Sequence, residues 1–180
     1  MMTFDEYKWE DLSYPTGYIR TLFDYVQAHP FKKGLEIGFD QGASALAFLR
    51  ACQDATLFSI DIEPCVVANA KLEVSDVKDR FKFMQADSRL MLREAFQREH
   101  HMDKFDFIYI DGDHLYDAVK QDLWNANNLL AEGGYMIVDD ANPNHQHFGV
   151  GRAVQELAEQ FGYKITPLEG SPSEAVILTK

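Results

Sequence analysis

Short apolar runs in this chain stop repeatedly at glycine or at a carboxylate. Leu35-Glu36-Ile37 passes into Gly38-Phe39-Asp40-Gln41-Gly42, and Leu57 to Ile60 ends at Asp61. Phe81 to Met84 leads to Ala86-Asp87-Ser88, Phe105 to Ile110 ends at Asp111, and Tyr135 to Val138 ends at Asp139-Asp140. Glycines in such a turn bring bare backbone against a small ligand. A carboxylate at a strand end can accept hydrogen bonds from sugar hydroxyls or hold a hard cation. His114, three residues past Asp111, titrates near neutrality and suits the removal of a proton from a hydroxyl.

These residues work together only if the chain carries their strand ends to one rim. Ile19, Leu22, Phe23 and Val26 make a helical stripe that stops at His29-Pro30. Strand 35–39, helix 43–51, strand 56–61, a weaker helix over 65–75, strand 81–84, helix 90–98 and strand 105–111 are expected to follow. The next helix carries Val119, Leu123, Ala126 and Leu130, and Gly133-Gly134 is read as its C-terminal cap. Strand 135–139 and helix 152–161 come next. The last two runs, 163–168 and 174–179, are joined at Gly170-Ser171-Pro172, too short a link for a helical crossover. Alternating strands and helices predict an α/β fold with a doubly wound, mostly parallel, seven-stranded sheet and an antiparallel C-terminal hairpin. We read 1–180 as a single domain, with 1–30 an N-terminal helical segment and 31–180 the ligand-binding sheet. Ligands of such sheets gather at the C-terminal strand ends, where the glycines and carboxylates lie.

Bulk properties narrow the function. The 180 residues are 46% hydrophobic and 26% charged, ordinary for a globular protein. Seventeen Lys and Arg against 29 Asp and Glu leave a net charge of −12, which repels a phosphate backbone and argues against nucleic acid. No apolar run is long enough to span a bilayer, so no membrane partner is expected. Cys52 and Cys65 form neither a C-x-x-C pair nor a secreted disulfide framework, and the N-terminus lacks a signal-peptide pattern. The expected location is cytoplasmic.

The glycine spacing departs from the dinucleotide fingerprint G-x-G-x-x-G. Glu-x-Gly-x-x-x-Gly followed by an acidic strand end instead resembles the S-adenosylmethionine site of class I methyltransferases, and the expected topology matches their Rossmann-like sheet. The resemblance implies that Glu36, Gly38, Asp40, Gly42 and Ser44 form the cofactor turn. Asp40 alternatively caps the helix that starts near Ala43. Asp61 would take the ribose hydroxyls, with Glu63 able to serve instead. Asp87 and Ser88 would read the adenine, or Asp87 would cap the following helix.

A second motif is Tyr109-Ile110-Asp111-Gly112-Asp113-His114-Leu115-Tyr116, with Asp122-Leu123, Gly133-Gly134 and Asp139-Asp140 behind it. This ordered set resembles a group of small bacterial class I methyltransferases related to the metal-dependent catechol-type O-methyltransferases. By that resemblance Asp111, Asp139 and Asp140 would hold Mg²⁺, Mn²⁺ or Ca²⁺, all suited to oxygen ligands. One Asp stands where those enzymes carry Asn. His114 replaces their catalytic lysine as candidate base, alongside Asp111, which would also face the cofactor. Asp113 occupies the place of an aromatic residue that stacks on adenine. The expected activity is methyl transfer from S-adenosylmethionine to a small-molecule acceptor, a hydroxyl oriented by the cation. The competing readings are a non-catalytic protein that binds this cofactor or its product, a metal-free N- or C-methyltransferase, and a nicotinamide-dependent oxidoreductase. A short chain with few inserts implies an open site or one completed by a second copy in a homo-oligomer.

Other residues are less informative. His145 and His147 lie on an expected rim loop, His100-His101 between a helix and a strand. Phe4, Tyr7, Trp9 and Tyr14 either pack against the body, form a contact between copies, or line the acceptor pocket.

Overall fold

A computed structural model describes residues 2–7, 9, 16–73, 75–92, 104–142 and 148–180. The chain runs α1 (Thr16–Ala28), β1 (Lys33–Ile37), α2 (Ala43–Ala51), β2 (Thr56–Asp61), α3 (Val66–Glu73) and β3 (Phe81–Gln85). After a helical turn over 88–92 come β4 (Phe105–Ile110), α4 (Tyr116–Leu129), β5 (Leu130–Val138), α5 (Phe148–Phe161), β6 (Lys164–Pro167) and β7 (Val176–Thr179).

The seven strands form one sheet in the order β3-β2-β1-β4-β5-β7-β6. Neighbouring strands from β3 across to β5 pair in parallel, while β7 runs antiparallel to both β5 and β6. The reversed strand is thus the last in sequence, inserted between β5 and β6. Apolar residues cover both faces, which is why the central strands read as nearly unbroken hydrophobic runs. Phe107, Tyr109 and Ile137 pack toward α1 and α2, whereas Leu35, Ile37, Ile108 and Met136 pack toward α4 and α5. At about 25 cal/mol per Å² of buried apolar surface, these two layers hold the strand ends in register.

Two local expectations differ from the structure. Gly133-Gly134 does not cap α4: the helix ends at Leu129, and Gly133, with φ +76°, sits inside β5. The β4–β5 register shifts between Phe105 and Phe107, so the glycines serve an irregularity in pairing rather than a helix end. Helix α5 begins at Phe148, ahead of the expected 152. The aromatic N-terminus packs on the body: Phe4 stacks on Trp9 with centroids 4.5 Å apart, and the Tyr7 hydroxyl donates to the Arg50 carbonyl at 3.1 Å. Tyr14, His100, His101, His145, His147 and most of the expected helix 90–98 lie outside the described residues. Among the described residues, no helix is long and apolar enough to cross a membrane.

Candidate functional site

The C-terminal ends of β1, β2, β3 and β4 open onto a cavity of about 490 Å³. Its walls include Gly38, Asp40, Ser44, Asp61, Asp87, Ser88 and Asp111, with Tyr18 arriving from α1. Of the expected cofactor residues, Glu36 and Gly42 lie behind this wall.

The glycine turn is built by contacts within the protein. Gly38 takes φ +91°, and a Cβ there would stand 1.9 Å from the Asp111 carbonyl oxygen. Gly42 takes φ +73°, and its missing Cβ makes room for the Phe39 ring at 2.8 Å. The expectation that both glycines leave space for a ligand therefore changes: their bare Cα atoms admit backbone of the β4 end and a side chain of the turn itself. Asp40 also has a left-handed φ of +40°, as do Cys65 and Asp140 on the same rim. Such φ values in non-glycine residues cluster at working sites. Helix α2 receives no side-chain cap, so Asp40 does not play that part.

Glu36 is fully buried. Its Oε1 accepts from the Ser44 hydroxyl and its Oε2 from the Ser59 hydroxyl, both at 2.5 Å. Burial pushes its carboxyl up to about 8, with the two serine bonds pulling the other way. Glu36 thus pins Ser44 at the start of α2 and ties β1 to β2.

The Asp61 carboxylate faces the turn. Its Oδ2 accepts the amides of Phe39 at 2.7 Å and Asp40 at 3.0 Å, and its Oδ1 accepts that of Glu63 at 2.9 Å. Three of a carboxylate's roughly four acceptor positions are thereby occupied. Glu63 lines the cavity beside it and is exposed. Asp87 adopts the capping arrangement: Oδ1 accepts the Arg89 amide at 3.0 Å, and the Arg89 guanidinium clamps both oxygens at 2.9 and 2.7 Å. That guanidinium holds the Asp87 carboxyl below its usual range. Ser88 points elsewhere, its hydroxyl donating to Asp122 Oδ1 at 2.7 Å.

At the ends of β4 and β5, the expected trio of aspartates separates. Asp111 and Asp140 come together with His114, whose Nε2 lies 3.7 Å from Asp111 Oδ1 and 3.4 Å from Asp140 Oδ2. One ligand atom from each of these three lies within 4.8 Å of the others. Asp139 is 5% exposed and turned into the protein. Its Oδ2 accepts the hydroxyls of Tyr18 at 2.5 Å and Tyr109 at 3.1 Å; its Oδ1 accepts the Ser173 hydroxyl and the Asp140 amide. The Tyr109 hydroxyl also lies 3.3 Å from Asp111 Oδ2. Burial, with Asp139 and Asp140 nearby, raises the Asp111 carboxyl, and the Asp111 carboxylate in turn raises the His114 imidazole. Burial beside Asp139 pushes the Tyr18 hydroxyl up as well, so it stays protonated and donates.

Two contributors escaped sequence reasoning as site residues. Tyr18 lies on a helix whose stripe reads simply as core. Asp122, part of the quoted motif, is 2% exposed and yet lines the cavity from α4.

A seven-stranded sheet with β7 reversed, a glycine turn after β1 and an acidic rim around the cavity define a class I S-adenosylmethionine-dependent methyltransferase. The sequence agrees: residues 35–141 match the family described as "Methyltransferase domain", and the chain belongs to that family. No curated protein matches the sequence. Solved structures share the fold. The O-methyltransferase from Bacillus cereus in complex with SAH is 18% identical, with a TM-score of 0.70 over 98% of this chain and 86% of its own. The O-methyltransferase TomG from Streptomyces achromogenes, involved in tomaymycin synthesis and in complex with SAM, is 20% identical, with a TM-score of 0.70 over 99% and 86%. The SAH-bound methyltransferase PaMTH1 from Podospora anserina is 18% identical, with a TM-score of 0.68 over 93% and 79%.

Proposed function

We propose that the protein transfers the methyl group of S-adenosylmethionine to a hydroxyl on a small molecule. The reading is carried by one observation: Asp111, His114 and Asp140 converge at the rim of the cavity, beside the turn that would hold the cofactor. The O-methyltransferases of like fold support it. The chemistry is an in-line displacement at a sulfonium methyl. It needs the nucleophile, carbon and sulfur aligned, and one proton removed.

In this reading the Gly38–Gly42 turn and Ser44, ordered by Glu36 and Asp61, hold the methionine portion. Asp61 with Glu63 serves the ribose, and Asp87-Ser88 borders the base. His114 takes the acceptor's proton, and the carboxylates of Asp111 and Asp140 stabilise the imidazolium that results. The same two carboxylates fit a divalent cation, Mg²⁺, Mn²⁺ or Ca²⁺, and an imidazole nitrogen beside them suits Mn²⁺ best. Asp139 does not fit that set, because its oxygens already receive four donors. When bound, the cation would lower the pKa of the acceptor hydroxyl and fix its oxygen. The sequestration of Asp139 favours a second reading, in which His114 and its carboxylates act without metal.

Methyl transfer to a panel of small hydroxylated compounds, with Mn²⁺, with Mg²⁺ and with chelator, tests these readings. We expect transfer that His114→Ala lowers at least about 100-fold, the usual worth of a positioned base. Chelator-resistant transfer that still needs His114 supports the metal-free reading. Cofactor binding without transfer to any acceptor would overturn the enzymatic reading.

A further inference from the structure

The cavity wall carries a carboxylate that the proposed mechanism does not use. Asp122 projects from α4 and is 2% exposed, yet it lines the cavity with Ser88 and Gly112. Its Oδ1 accepts the Ser88 hydroxyl at 2.7 Å. Its Oδ2 accepts no hydrogen bond from any described residue and lies 3.8 Å from where a Cβ on Gly112 would stand. An oxygen that meets the cavity with no donor from the described residues is placed to accept one from a ligand. The absent Gly112 side chain keeps the space in front of it clear.

The ligand itself identifies the donor. With its methyl carbon at Asp111 and His114, and its ribose at the β2 end, the elongated cofactor carries its base toward the β3 end and Ser88. A carboxylate only accepts, and the hydrogen-bond donor on the edge of adenine is its exocyclic amino group. Asp87, the residue expected to meet that amino group, has both oxygens committed to Arg89. We propose that Asp122 selects the nucleobase, with Oδ2 accepting from the amino group of adenine while Ser88 fixes the carboxylate through Oδ1. The assignment rests on the cofactor reading above. In it Ser88 is a positioning residue.

Calorimetric titration with S-adenosylhomocysteine and S-inosylhomocysteine, in which a carbonyl replaces the amino group, tests the assignment. Wild-type protein is expected to bind the inosine compound about 10- to 100-fold more weakly, the usual penalty for leaving a charged acceptor without its donor. Asp122→Asn keeps an oxygen for Ser88 and presents an amide N–H₂ to the base. It should weaken the adenosine compound, strengthen the inosine compound, and shrink the preference at least tenfold. Ser88→Ala should reduce the preference several-fold with Asp122 intact. Equal affinities of wild type for the two compounds would overturn the proposal whether or not the variants fold. A preference unchanged in a folded Asp122→Asn protein would overturn it too. Wild type that binds neither compound would refute the cofactor reading, and this assignment with it.

Discussion

Replacing Glu36 by Gln should make the protein less sensitive to alkaline pH. An ordinary glutamate carboxyl titrates at 4.5, and burial raises this one to about 8. A raised carboxyl pKa means that folding favours the protonated acid. The stability it contributes is complete below pH 4.5 and is lost as pH rises toward 8. Linkage puts the loss between pH 5.5 and pH 8 at about 3 kcal/mol, and at about 5 kcal/mol over the whole range. Asp111 and Asp122, also raised by burial, and His114, raised by Asp111, slope the same way in this window. The variant therefore removes only the share due to Glu36. Gln keeps the size of the side chain and can still bond both serine hydroxyls, which donate or accept. Urea unfolding of both proteins at pH 5.5 and 8.0 gives the comparison. The wild type should lose about 3 kcal/mol more than Glu36→Gln across that interval. Parallel losses, within about 0.5 kcal/mol, would mean that Glu36 is ionised at no cost and that burial does not raise its carboxyl.

Gly38→Ala should fail at the turn, because both the φ of +91° and the Asp111 carbonyl 1.9 Å from the new Cβ resist it. A loss of at least about 3 kcal/mol, or about 6–12 °C in melting temperature, is expected; a variant that melts and binds cofactor as the wild type does would contradict this. Asp61→Ala should lower both melting temperature and cofactor affinity, since it strips an acceptor from three backbone amides. Glu63→Gln should lower affinity alone; the reverse pattern in melting and titration would reassign the two residues. Tyr18→Phe and Ser173→Ala should each cost about 1–3 kcal/mol by leaving Asp139 short of a donor. Because both donors serve one carboxylate, denaturation of the double variant should give a total that departs from the sum, and strict additivity would contradict a shared network.

The sequence carried the frame of the fold because hydrophobic period and glycine placement are local signals. The Gly38 turn, the strands ending at Asp61 and Asp111, and the tail hairpin after Gly170 could be read one segment at a time. The order β5-β7-β6 follows from the short link over 168–175 and the pairing of β7 with both neighbours. What could not be read depends on partners distant in sequence. Nothing near Asp139 announces that Tyr18, 121 positions earlier, donates to it. Gly133-Gly134 has the composition of a helix cap, and only pairing with β4 reveals it as part of β5. Asp87 and Asp122 look alike as isolated carboxylates. Arg89 clamps one and Ser88 holds the other, and the two outcomes differ only in three dimensions.

The position of β7 sets a timetable for the nascent chain. Strand β6 leaves the ribosome before the strand that joins it to the sheet, and β5 waits with the edge of Met136, Ile137 and Val138 unpaired until Val176–Thr179 follow. Ser173, which anchors Asp139, emerges only just ahead of that strand. The Asp139 network and the far edge of the sheet are therefore completed together, only once residues 173–179 have been made. A ribosome stalled short of residue 173 holds a polypeptide with an open apolar strand, a natural client for a chaperone.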